Sequence, residues 1–223
     1  MTEAPEDEEA EAAEVMAMLA EWARRAEFAT TEPVVLVPRQ VTITRETLET
    51  AYVQDILEPV FCEMLEVSTG AEAEAVLASF SLGQRRLYAV EWYVMEVNSG
   101  GHEFFFGCSA GLVWPDALAG LEMLGATAAW EILLEATQRF PEPLSVEYSQ
   151  REEALKKLPD KVFDDLDRRF YDGVDDQVWA LMEAYIRAHP DEFLWSGTVV
   201  DVEHPYEIQV VDGEYRWVLK APK

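Results

Sequence analysis

The chain has 223 residues, with 44 Asp and Glu against 17 Lys and Arg, giving a formal net charge of −27. An excess of that sign excludes the basic face that nucleic acids and acidic lipids demand, so neither direct nucleic-acid binding nor membrane association is expected. Apolar residues make up 49%, among them seven Trp, ten Phe and eight Tyr, which excludes a disordered chain and predicts a sizeable core.

An acidic arm opens the chain, with Glu3, Glu6-Asp7-Glu8-Glu9 and Glu11. A helical pattern follows over 11–28, where Val15, Met18, Leu19 and Trp22 fall on one stripe. Val34 to Val37 reads as a short strand closed by Pro38. Thr44 has the chemistry of an N-cap for a helix reaching Glu66, which Pro59 bends or divides. Ser81 and Gln84 form a capping-box pair at the start of a helix through Leu87, Val90, Trp92, Tyr93, Val94, Met95 and Val97. That helix is apolar on nearly every side, the mark of a central buried element. Asn98-Ser99-Gly100-Gly101 stops it, and His102 to Phe106 reads as an apolar connector that packs inward.

Pro115 is expected at the first position of the next helix, which ends at Gly125. Another runs to Phe140. Two more are expected over 150–158 and 161–171, the second with Phe163, Leu166 and Phe170 inward. A last one covers 175–188 and buries Val178, Leu181, Met182 and Tyr185. Ile208 to Val211, Asp212-Gly213 and Tyr215 to Leu219 then read as a β-hairpin with a type I′ turn, to which Val199 and Val200 add a third strand. The expected fold is mainly α, a multi-helix bundle with a small C-terminal β-hairpin appendage. Its parts are an acidic arm and helix over 1–30, a helical core over 31–195 and a hairpin extension over 196–223.

Familiar chemistry is weak in this chain. Gly107-Cys108-Ser109-Ala110-Gly111 has the spacing of a nucleophile elbow, but that motif needs a strand-to-helix turn in a parallel sheet, and no such alternation surrounds it. His102, His189 and His204 show no metal-ligand spacing with one another or with a Cys. Gly173 falls out of register for a calcium loop in the run Asp164, Asp165, Asp167, Asp172, Asp175, Asp176. No catalytic residue, cofactor or metal is expected. Cys62 and Cys108 read as free buried thiols. No apolar run approaches the roughly 18 residues of a membrane span, and the acidic N-terminus is unlike a secretory leader, so a cytoplasmic protein is expected.

What remains is charge. A duplex carries one negative charge per roughly 1.7 Å, so the net charge equals that of about 46 Å of DNA. The six aspartates of 164–176 are the densest acidic cluster, with Arg168 and Arg169 among them. They are the candidate protein-binding patch, with the N-terminal arm in support.

One segment carries a resemblance. In order it holds Leu82-Gly83-Gln84-Arg85-Arg86-Leu87-Tyr88, Glu96-Val97-Asn98-Ser99-Gly100-Gly101, Phe104-Phe105-Phe106, Gly111, Asp116-Ala117-Leu118 and Leu124-Gly125-Ala126. This order resembles a bacterial family of acidic DNA-mimic proteins, over about 80–195. The chain departs from the family pattern at Ser99, inserted within Asn-Gly-Gly, and at His102, where an aromatic is usual. The resemblance implies an all-helical fold in which Asn98, Gly100, Gly101, Phe104, Phe105, Gly111, Ala117, Leu118, Gly125 and Ala126 are structural. It implies as partner a basic DNA-binding protein, such as a helix-turn-helix regulator, whose DNA-binding surface the carboxylates occupy. Alternatives are an immunity-type neutraliser of a basic toxin or nuclease, and an acidic protein with a small-molecule pocket near 98–111. A homodimer through an open hairpin edge is left open.

Overall fold

The computed structural model describes residues 36–202, 206–211 and 214–219. The chain divides into two compact units, one of residues 38–200 and one that joins 1–37 to 201–223. The acidic arm, the 11–28 helix and the Asp212-Gly213 turn lie outside the described residues.

In the larger unit, β1 (Leu36–Ile43) leads to α1 (Arg45–Thr50), α2 (Val53–Met64), α3 (Gly70–Leu77) and the long α4 (Leu82–Gly107). A 3₁₀ turn over Ser109–Val113 precedes α5 (Trp114–Leu124) and α6 (Thr127–Gln138). Then come α7 (Tyr148–Leu155), α8 (Asp164–Tyr171), α9 (Val174–Ala188) and β2 (Trp195–Val202). The fold is thus mainly helical. In the second unit, β3 (Tyr206–Val211) pairs antiparallel with β4 (Glu214–Leu219), with Val211 opposite Glu214.

Several local expectations are met by hydrogen bonds. The Thr47 N–H donates to the Thr44 hydroxyl at 3.2 Å, and the Gln84 N–H donates to the Ser81 hydroxyl at 3.1 Å. Phe163, Leu166 and Phe170 are buried, as are Val178 and Met182, but Ile186 rather than Tyr185 completes the inner stripe of α9.

Other boundaries differ from the sequence reading. The strand does not stop at Pro38 but runs through it to Ile43. In a two-stranded sheet both strands are edges, and an edge tolerates proline. The strand of Val199 and Val200 pairs with β1, not with the hairpin. Gln40 bonds the Thr198 hydroxyl and Thr42 bonds Ser196 at 3.3 Å, an antiparallel order, while Val41, Ile43 and Val199 turn inward. The helix after Thr44 divides at Ala51–Tyr52, where the backbone is extended; Pro59 sits inside α2 and forfeits one hydrogen bond there. Pro115 is the second residue of α5, not the first.

The connector expected over His102–Phe106 is itself helical. Gly100 and Gly101 leave helical geometry (φ −164° and +77°), and the chain resumes as a short helix to Gly107. Its phase turns Phe105 and Phe106 fully inward and leaves Phe104 48% exposed. Phe106 meets Phe140 at 5.3 Å and Phe163 at 5.8 Å between ring centroids. Each such buried ring stabilises the fold by roughly 1.5–3 kcal/mol.

Candidate functional site

The acidic segment follows from helix electrostatics. Asp164, Asp165 and Asp167 occupy the first turn of α8, and Asp175 and Asp176 that of α9, where unpaired N–H groups favour negative charge. Arg168 and Arg169 fall in the last turn of α8, where the dipole favours cations.

The six aspartates do different things. Asp164, Asp172 and Asp176 are exposed, and among the described residues no ion pair or side-chain hydrogen bond engages their carboxylates. Asp165 accepts from Arg139 at 2.8 Å, which holds its carboxyl below the usual range. Arg139 and Arg169 also pair with Glu135 at 2.6 and 2.7 Å, so this side of the bundle is neutralised locally.

Asp167 points inward, onto the break in α4. One carboxylate oxygen accepts from the His102 backbone N–H at 2.9 Å and from His102 Nδ1 at 2.5 Å. In the neutral imidazole this places the ring proton on Nδ1, and Nε2 accepts from the Tyr93 hydroxyl at 3.0 Å. His102 and Tyr93 are both 0% exposed, and burial pushes the Tyr93 hydroxyl well up. Gly101 makes the approach possible, since a Cβ there would stand 2.6 Å from Asp167 Oδ2. The other half of the break is tied as well. The Tyr171 hydroxyl donates to the Val97 carbonyl at 2.7 Å, and Asn98 Nδ2 donates to Asp175 at 3.2 Å. The break and the acidic segment, 65 residues apart at His102 and Asp167, are therefore one structure.

A second polar group closes the far end of the short helix. Arg151 is 0% exposed, and among the described residues no carboxylate pairs with it; it donates to the carbonyls of Phe106 (3.0 Å), Cys108 (2.7 Å) and Val146. Those carbonyls end the helix and the turn beyond it, where negative partial charge gathers. Desolvation lowers the Arg151 pKa. Its guanidinium lies against Gly111, where a Cβ would be 2.6 Å from Nε. The remaining motif residues sit nearby. Ala117 and Ala126 are buried, Leu118 packs on the core, and Gly125 caps α5 in the left-handed conformation. Asp116 is bound by Arg85 at 2.8 Å and by Arg86.

Asp167 and Arg151 fill the space beside Gly101 and Gly111, so the 98–111 turn is packed with protein. A shallow, open depression lies elsewhere, lined by Leu121, Glu122, Gly125, Thr127 and Trp130. Among the described residues no group of three or more His, Cys, Asp or Glu converges to hold a metal, and no single helix is long and apolar enough to cross a membrane.

Sequence reading missed Glu91 and Arg151, and it placed Asp167 in the surface patch without its inward role. Asp167 shares a stripe with Phe163 and Phe170, at i+4 and i−3, and that phase was a usable signal. Glu91 is the lone acid in the apolar run from Leu87 to Met95, yet it is 0% exposed. Arg151 carried no such signal, because its partners are backbone carbonyls, two of them 45 and 43 residues away.

The fold and site define an acidic helical protein whose interior polar groups brace a broken central helix. Residues 78–189 match the family model of DMP19-like protein, half of the chain, and the protein belongs to that family. The match spans α4 to α9. Membership points to a DNA-mimic role. No curated protein and no solved structure matches the chain.

Proposed function

We propose that this protein is a non-enzymatic DNA mimic that occupies the basic DNA-binding surface of a transcription factor or other DNA-binding protein. The observation that carries the reading is the surplus of unpaired charge in a member of this family. The net charge is −27, and in the 164–176 segment Asp164, Asp172 and Asp176 present free carboxylates beside the half-exposed ring of Tyr171. Carboxylates in place of phosphates pair with Lys and Arg and steer association, and screening weakens such contacts as salt rises. Asp167 and Asp175 support the patch from within, by bracing the α4 break, rather than by facing the partner.

The test is capture from native lysate at low salt, elution by a salt gradient, and displacement of the captured protein by its own duplex site. Replacing Asp164, Asp172 and Asp176 together by Lys should abolish capture while the chain still unfolds cooperatively, with only the small loss of stability expected from reversing charge in the first turns of α8 and α9. Unchanged capture would remove this patch from the interface. A captured nuclease that duplex DNA does not displace would favour a toxin neutraliser.

A further inference from the structure

Helix α2 lies outside the family-matched residues, yet it closes one face of α4. Phe61 of α2 meets Tyr88 edge-on at 5.0 Å and Trp92 at 5.4 Å. Ile56, Leu57 and Val60 are buried beneath α2. Glu91 belongs to the same region of α4, one turn beyond Tyr88. It is 0% exposed, and neither carboxyl oxygen has a hydrogen-bond partner among the described residues. Burial pushes its pKa up to about 8, and Asp55 of α2 adds a like charge.

The other charged groups packed around α4 are engaged elsewhere. Asp116 of α5 is held by Arg85 and Arg86, and Asp167 of α8 by His102. Arg151 of α7 is held by carbonyls, and Glu192 beside β2 accepts from the Gly83 N–H and from Tyr185. Among the described residues no cation pairs with Glu91, and an uncompensated buried charge is strongly unfavourable. Breaks bound α2 on both sides, at the extended Ala51–Tyr52 step and over residues 65–69 before α3.

We propose that α2 is a proton-locked cover on α4, seated while Glu91 is protonated and released when Glu91 ionises, which uncovers Tyr88 and Trp92. The sign follows from linkage. In the open state Glu91 is in water and titrates near its ordinary value of 4.5, whereas the closed state holds the proton more tightly. Opening therefore becomes more favourable as pH rises above 4.5, by at most about tenfold per pH unit, and levels off above the closed-state value of about 8.

The experiment is hydrogen exchange of the full chain from pH 5 to pH 9, corrected for intrinsic exchange, with peptides of α2 read against peptides of α5 and α6. The opening of α2 should rise at least tenfold between about pH 6 and pH 8 while α5 and α6 stay protected. Glu91→Gln should flatten the rise. Asp55→Asn keeps an acceptor for the Tyr52 N–H, which Asp55 now binds at 3.2 Å, and should make the rise level off at lower pH. A pH-independent α2 in the unmodified chain, or α2 opening only together with α5 and α6, would overturn the proposal.

Discussion

At the Gly100–Gly101 break of α4, buried polar groups have partners: His102 bonds Asp167 and Tyr93, and Arg151 bonds three carbonyls. Three turns earlier on the same helix, Glu91 is equally buried and among the described residues has none, and Gln84 Nε2 two turns further back is also unpaired. The two regions differ in what packs against them. The break and the short helix beyond it are held by α7, α8 and α9, inside the family-matched residues, and α2 covers the Glu91 face from outside them. A polar group with all its bonds rigidifies a core, whereas one without them is a point at which the core can be opened.

The largest expected effect breaks the satisfied region. Arg151→Met removes a buried guanidinium that serves three carbonyls, one buried and two part-buried, and stability measured by urea unfolding should fall by roughly 3–5 kcal/mol. The unsatisfied region should respond in the opposite direction. Glu91→Gln should stabilise the protein by roughly 2–3 kcal/mol at pH 7. The stability of the unmodified protein should also decline as pH rises from 4.5 toward 8, because the folded state holds a proton that the unfolded state releases. A variant whose stability matches the parent at pH 8 would mean that Glu91 is already hydrated in the native state. The finest comparison is between two glycines of positive φ. Gly101 (+77°) faces the Asp167 carboxylate, whereas nothing lies within 4 Å of a Cβ on Gly125 (+67°). Gly125 (ψ +23°) lies in the left-handed region that other residues adopt, whereas Gly101 (ψ −176°) lies where essentially only glycine is found, so backbone strain and the carboxylate clash together should make Gly101→Ala cost about 1–3 kcal/mol more than Gly125→Ala in thermal unfolding.

The sequence made the helices legible wherever local chemistry sets them. Ser81 with Gln84, Thr44 and Gly125 mark helix ends by hydrogen bonds and backbone conformations that span only a few residues. The short helix after Gly101 was hidden because Phe104-Phe105-Phe106 carries no polar spacing by which to read a phase. Pro59 was a misleading break, since a single lost bond inside well-buried α2 is outweighed by the packing of Ile56, Leu57 and Val60. Within the candidate site, composition located the acidic segment but could not sort it. The phase that Asp167 shares with Phe163 and Phe170 records that it turns inward, but that it braces His102 depends on a partner 65 residues away.

The β1–β2 pairing has a practical consequence. Gln40 lies across from Thr198, so the larger unit begins and finishes side by side. A unit with adjacent ends can be spliced into a surface loop of a host protein without stretching either chain. The acidic helical body is thus a transplantable cassette.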